Sequence, residues 1–339
     1  MTKYLSDKLT IIYTILIIMV VYIHSSYEEA KNYELASFLQ SFTGAGICRI
    51  ANCLFFSISG YLFARNISSI KDVFLKIKKR LRTLLVPYLL WNIIFVLWFV
   101  VLDVIPGVSQ YVNSRGTLQR ILHQPILQTL YDLWVSPAAF QLWFLRDLIV
   151  MMLFTPILWY WSKKHWISAL IAATISTCFY GWLIYFWIGI IAATNRIDIE
   201  DYYKRTWLII SCSLIYVGYA FYVGIYGLLP SYIDFAINLC GLYAVWVVYD
   251  LLTNKDKGEL TKVIPYKWIC GYSFFIYLFH EPTFSVIKKL GLAIFGVNEL
   301  SIITLYYINP WIMVAVAVLV ARIMQHMIPS VYKILTGGR

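Results

Sequence analysis

The sequence predicts an all-α polytopic integral membrane protein: ten transmembrane helices, both termini cytoplasmic, one domain over residues 1–339. Three observations predict it. Of 339 residues, 61% are hydrophobic and only 13% charged, whereas soluble domains run at about 25% charged and 45–50% apolar. Apolar runs of roughly membrane-spanning length recur along the whole chain. Finally, the basic residues sort to one side of a membrane when ten spans are drawn.

The runs lie near 9–27, 46–64, 83–104, 141–161, 166–178, 180–194, 207–226, 231–251, 268–287 and 300–321. Each approaches the roughly 20 residues needed to cross about 30 Å of hydrocarbon. Lys3 and Lys8 before the first run fit a signal-peptide n-region, but no A-x-A site follows and many more spans do, so it reads as a retained span. The fifth and sixth runs share 29 residues, 166–194, long for one span and short for two. Charge decides. With two spans, 21 of the 28 basic residues fall inside; with one, 13 fall inside and 15 outside. The positive-inside rule favours the hairpin, and local bilayer thinning accommodates short spans.

The net charge of +11 is then explained by cytoplasmic loops, and no nucleic-acid partner is called for. The loop Arg65 to Arg82, RNISSIKDVFLKIKKRLR, carries seven basic residues against Asp72 alone. The longest outer segment, about 105–140, is broken by Pro106, Gly107, Gly116, Pro125 and Pro137. Within it ILHQPILQTLYDLW has the make-up of a short interfacial helix. The six cysteines stand singly in apolar runs with no CxxC and no His/Cys cluster, so neither a disulfide framework nor a metal site is expected.

Ionisable groups inside spans are costly and tend to face the protein interior. His24 lies roughly 22 Å along span 1 and His280 roughly 18 Å into span 9, at 1.5 Å per residue. Arg146 and Asp147 occupy the second turn of span 4, and Arg49 and Asn52 the first turns of span 2. Together they form a layer in the central-to-outer membrane. Blander readings stand beside this one: His24 as an interfacial histidine, Arg49 as a snorkelling anchor, Arg146 in a salt bridge to another helix, Glu281 as a cap. Arg146 and Asp147, as neighbours, are expected to point apart. His280, deep in SFFIYLFH, is hardest to explain away, and Pro282 predicts a kink beside it. On the inner side, Lys78, Lys79, Arg80 and Arg82 crowd the mouth of span 3, either setting orientation and touching lipid or receiving a phosphate-rich donor.

Five stretches in order resemble the integral-membrane acyltransferase 3 family: VVYIHS ending span 1, FFSISGYLF (55–63), KKRLRTLLVPYLLW (78–91), LWFLRDLIV (142–150) and YLFHEP (277–282). The resemblance covers essentially the whole chain. It implies a ten-helix fold and transfer of an acyl group, commonly acetyl, from cytoplasmic acyl-CoA to a sugar hydroxyl of a surface or exported glycan. It implies His24 as the key residue and Arg80 and Arg82, with Lys79, as the donor site. It also implies a bacterial plasma (inner) membrane, with no resident cofactor or metal, and either self-association or a glycosyltransferase partner. One departure stands out: the family's arginine eleven residues before the histidine is Tyr13 here, so either another cation, Lys8 or the span 3 mouth, supplies that charge, or the donor differs.

The residue chemistry agrees. Histidine suits proton removal from an attacking hydroxyl, or carrying the acyl group itself. Arg146 or protonated His280 would steady the oxyanion. The rival readings are a glycan or lipid-linked sugar transporter, which buried histidines serve equally well, and a sensor or scaffold without catalysis.

Overall fold

The computed structural model describes residues 2–104, 123–135, 137, 139–197, 199, 206–252 and 267–338. Outside them fall the loop breakers Pro106, Gly107 and Gly116, the topology charges Lys204, Arg205, Lys255, Lys257, Lys262 and Arg339, and the side chain of Lys267. The described residues are helical throughout, with no strand among them.

Helix α1 (Lys3–Ile23) starts where Thr2 Oγ1 accepts the Leu5 N–H at 3.2 Å, and it ends at His24. Span 2 is longer than expected. Helix α2 (Glu34–Gln40), a π-helical stretch Ser41–Cys48 and α3 (Ile50–Ala64) form one 31-residue rod, Glu34–Ala64. Gly44, Gly46 and the neighbouring hydroxyls interrupt the apolar run, so composition placed its start twelve residues late. The π geometry leaves carbonyls without their usual partners, and the Tyr216 hydroxyl sits 2.9 Å from the Gly46 carbonyl and 3.1 Å from that of Ile47.

Helix α4 (Ile70–Val104) has 35 residues, about 52 Å at 1.5 Å per residue, well beyond a 30 Å hydrocarbon core. Its first turns form a basic arm. Ser69 and Asp72 close a reciprocal cap: the Asp72 carboxylate accepts from the Ser68 and Ser69 hydroxyls and N–H groups. The Ser68 hydroxyl first, then Ser69, hold that carboxyl down at about 2. Next come α5 (Ile126–Trp134), α6 (Trp143–Lys164), α7 (Trp166–Ile175), α8 (Leu183–Thr194), α9 (Thr206–Tyr226) and α10 (Ser231–Leu252). The stretch expected to lie at the membrane interface forms a helix, α5, with Ile126 and Leu127 70% and 77% exposed. Helices α11 (Lys267–Cys270), α12 (Ser273–Phe295), α13 (Glu299–Met327) and α14 (Pro329–Leu335) complete the chain. The last folds back on α4, where Trp91 Nε1 donates to the Leu335 carbonyl at 3.1 Å.

Helical segments therefore stand at all ten expected places. Among the described residues seven stretches are long and apolar enough to cross a membrane, and Trp166–Cys178 and Leu183–Thr194 are shorter apolar helices. At the ninth place α12 carries His280, Glu281, Lys288 and Lys289.

Two interior contacts hold the bundle. Helices α3 and α8 meet through glycines: a Cβ on Gly60 would stand 2.0 Å from the Phe186 carbonyl oxygen, and one on Gly189 2.1 Å from that of Ser57. This is what the Ser59-Gly60 pair of FFSISGYLF does locally, with small residues letting two backbones touch. In the N-terminal turns of α1, Lys8 is wholly buried and paired with Asp250 of α10 at 2.7 Å, with Trp246 under its ammonium at 4.3 Å. Tyr4 donates to the same carboxylate. Lys8 is thus a buried helix residue and not a loop charge, because a cation inside a span is held only where a counter-charge meets it.

Candidate active site

A cavity of about 500 Å³ runs alongside α1. Its wall takes Thr10, Tyr13 and Ile17 from the N-terminal part of that helix and His24 from its C-terminal end, about 21 Å of helix at 1.5 Å per residue. Arg80 and Cys270 close the Thr10 end; Asn52 and Gln141 stand in the wall with His24. Between them lie Phe55, Ser59, Leu62 and Phe63 of α3, Phe144, Leu145 and Leu148 of α6, and Phe274 and Tyr277 of α12. Apolar or aromatic residues of all five sequence stretches, Leu84 of α4 among them, therefore line one cavity. The inward faces of α1, α3, α6 and α12 meet there.

His24 is half-buried. Its ring centroid lies 5.1 Å from that of His280, tilted by 31°, and 4.8 Å from Phe140 in an edge-on contact. The carbonyls at the end of α1 are held from outside: Lys288 Nζ donates to the His24 oxygen at 3.0 Å and the Ser26 oxygen at 3.1 Å. A lysine on the last carbonyls of a helix is a favourable cap, and here it fixes the backbone that carries the histidine.

His280 is fully buried, and its Nδ1 lies 2.8 Å from the Tyr277 carbonyl and 3.2 Å from that of Ile276. Carbonyls only accept, so Nδ1 carries the proton. In the neutral ring Nε2 is then an acceptor, and it meets no partner among the described residues. The expected kink is present: Glu281 has φ −110° and ψ 142° inside α12. A residue before proline is pushed out of the helical region, and proline gives no N–H to the carbonyl four residues back. Gln141 Nε2 satisfies the carbonyls so released, Glu281 at 2.7 Å and Leu278 at 3.4 Å. Tyr277 ties the same corner, its hydroxyl donating to the Gln141 carbonyl at 2.8 Å and accepting from the Leu145 N–H at 3.2 Å.

Other expected site residues stand elsewhere. Arg146 does not line the cavity. Its Nε donates to Asp147 at 2.7 Å and its Nη1 to the Val135 carbonyl at 2.6 Å, while Tyr180 donates to the same Asp147 carboxylate. The neighbours pair after all, because the long arginine stem folds back over its own turn. Arg49, read as a lipid-facing anchor, pairs across helices with Asp234 at 3.0 Å, and the Tyr219 hydroxyl donates to that aspartate at 2.7 Å. Of the basic mouth, Arg80 reaches the cavity, whereas Lys78, Lys79 and Arg82 are exposed. Tyr13 lines the wall, stacked on Phe55 at 5.5 Å. With Lys8 committed to Asp250, the cation at the Thr10 end is Arg80. Asn52 belongs to the polar layer read from the sequence, whereas Gln141 and Lys288 carry no mark there as site residues. Only the partners that Pro282 leaves behind could have pointed to one of them, Gln141. Among the described residues no group of three His, Cys, Asp or Glu is placed to hold a metal.

An internal cavity between a cationic mouth and a histidine, built from helices that cross a membrane, is the frame of a membrane-embedded group-transfer protein. The chain belongs to the acyltransferase 3 family: the family's acyltransferase domain matches residues 9–323. It is 25% identical, over 98% of its length and 92% of the relative's, to the succinoglycan biosynthesis protein ExoH of Rhizobium meliloti (strain 1021). No solved structure matches.

Proposed function

We propose that this acyltransferase crosses the membrane ten times with both termini cytoplasmic. In this reading it moves an acyl group, commonly acetyl, from cytoplasmic acyl-CoA to a hydroxyl of a surface or exported polysaccharide at a bacterial plasma membrane. One observation carries the reading: a single cavity joins Arg80 to His24 along α1. The relative named for succinoglycan biosynthesis supports a glycan as acceptor.

Arg80 receives the phosphates of CoA, with Lys79 and Arg82 on the exposed flank, since guanidinium and ammonium groups bind phosphate through charge-assisted hydrogen bonds. The acyl-pantetheine arm lies in the cavity with its thioester at His24. His280 orients the base. Its Nδ1–H is spent on carbonyls, and its ring packs 5.1 Å from that of His24, setting the plane in which a His24 nitrogen turns its lone pair toward the cavity. That nitrogen takes the proton of the glycan hydroxyl while the oxygen attacks the thioester carbonyl. The C–O bond forms, the C–S bond breaks, and the proton passes to the departing thiolate, giving ester and free CoA. Asn52 is a side-chain amide in the wall with His24, and it donates to the developing oxyanion. Arg146 is occupied by Asp147 and holds the outer corner in shape.

The test is purified protein in bilayer discs with radiolabelled acetyl-CoA and glycan from the producing cell. Label in the glycan and stoichiometric CoA release, both lost in His24→Ala with folding intact, are expected. Undiminished transfer in that variant would remove the histidine from the mechanism. Glycan movement without CoA release would return the transporter reading.

A further inference from the structure

Gln141 holds a polar atom that the chemistry above does not use. Its side chain is 1% exposed, and it lines the cavity with His24. Both protons of its amide are directed at carbonyls, Glu281 at 2.7 Å and Leu278 at 3.4 Å. The opposite orientation of the amide is excluded, because it would set Oε1 against those same two oxygens. The kink in α12 therefore fixes where Oε1 points. That oxygen is buried and meets no donor among the described residues, and a buried amide oxygen ordinarily has one.

Other buried polar atoms also lack a partner, among them those of Asn238 and Asn92, but these side chains do not line the cavity. Gln141 differs in belonging to the cavity wall that also holds His24. It is also close to the base. The preceding residue, Phe140, lies edge-on to His24, and its hydrogen-bond partner Glu281 follows His280, whose ring is 5.1 Å from that of His24. An acceptor atom held there, with no proton of its own to offer, selects a ligand group that donates.

We infer that Gln141 is an acceptor-recognition residue, its Oε1 taking a hydrogen bond from the hydroxyl next to the one that His24 deprotonates. The substrate class is thus a vicinal diol of a sugar ring, acylated on one member of the pair. A hydroxyl that stands alone fails this test: it leaves the buried oxygen unpaired, and sites built to hydrogen-bond a substrate group reject analogues lacking it. This rests on the acyltransferase reading proposed above.

Two measurements test it. In glycan isolated from cells carrying the wild-type chain, the ester position is mapped by NMR; the inference expects a free hydroxyl on the adjacent carbon. An ester with no neighbouring hydroxyl overturns it, and this result needs no variant. Gln141→Met, which keeps the length and removes the amide, is then assayed with acetyl-CoA and de-esterified glycan. Expected are a tenfold or greater rise in glycan KM, acetyl-CoA KM within twofold of wild type, and ester spread over both members of the diol. If both KM values rise alike, or regioselectivity is unchanged, Gln141 is only a brace for the kink. If the wild-type chain forms no ester at all, the acyltransferase reading itself fails first.

Discussion

Replacing Gly60 with alanine tests how the cavity is held in shape. A Cβ at Gly60 would lie 2.0 Å from the Phe186 carbonyl oxygen and 3.3 Å from the Ile190 nitrogen. Both are backbone atoms, so no side chain can swing aside. Restoring contacts of 3.0–3.4 Å forces α3 and α8 apart by about 1.0–1.4 Å. Overpacking of this kind costs about 1–3 kcal/mol, partly offset by up to ~1 kcal/mol because alanine is the better helix former. A net loss of about 1–2 kcal/mol follows, seen as a Tm several degrees lower in detergent. Activity should suffer more, because α3 carries Asn52, Phe55 and Ser59 of the cavity wall. A misplacement of about 1 Å can cost a hundredfold in rate. The control is Gly218→Ala on α9, where the added Cβ meets nothing within 4 Å; it should be neutral or slightly stabilising. Gly60→Ala with wild-type Tm and acyl-transfer rate would refute the close-packing account.

Three further outcomes are expected. Lys8→Met should destabilise strongly, by about 3–5 kcal/mol, because it strands the Asp250 carboxylate, while Lys8→Met/Asp250→Leu should recover most of the loss; thermal unfolding of both checks this. Lys288→Met removes two hydrogen bonds from the end of α1 and should lower kcat by about tenfold, ~1.4 kcal/mol, with acyl-CoA KM unchanged. Arg80→Gln should raise the acyl-CoA KM more than Arg82→Gln does, because only the first lines the cavity, and initial-rate kinetics at varied donor concentration separate them.

Much of this arrangement is legible in the chain. Apolar runs placed helices at every expected position, since a membrane leaves the backbone little choice but helix. Glu281-Pro282 announced the kink, a local steric matter, and Pro125 followed by ILQTLYDLW announced helix α5. Legibility fails where a residue's meaning depends on a distant partner. Lys8 looks like a flanking charge until α10 brings Asp250 to it, 242 positions later. Arg49 looks lipid-facing until Asp234 closes on it. The span carrying Arg49 looked short because Gly44 and Gly46 dilute the apolar run, though Tyr216 and close contact with Ala220 support Gly46 and Tyr306 packs on Gly44. Gln141 gave no signal of its own, because glutamine is ordinary beside a loop; its role exists only through the two carbonyls on another helix that the Pro282 kink frees. Motif resemblance located His24, but not the lysine that holds its backbone.

The most direct test of the cavity as the acyl path is transfer across oriented vesicles, with membrane-impermeant acetyl-CoA given to the cytoplasmic face and glycan to the other. Ester should form on the far side only when acetyl-CoA is on the cytoplasmic side. Ser59→Trp, which fills the wall between Arg80 and His24, should abolish it while the protein stays folded. Equal use of acetyl-CoA from the outer face, or full transfer in folded Ser59→Trp, would contradict the account.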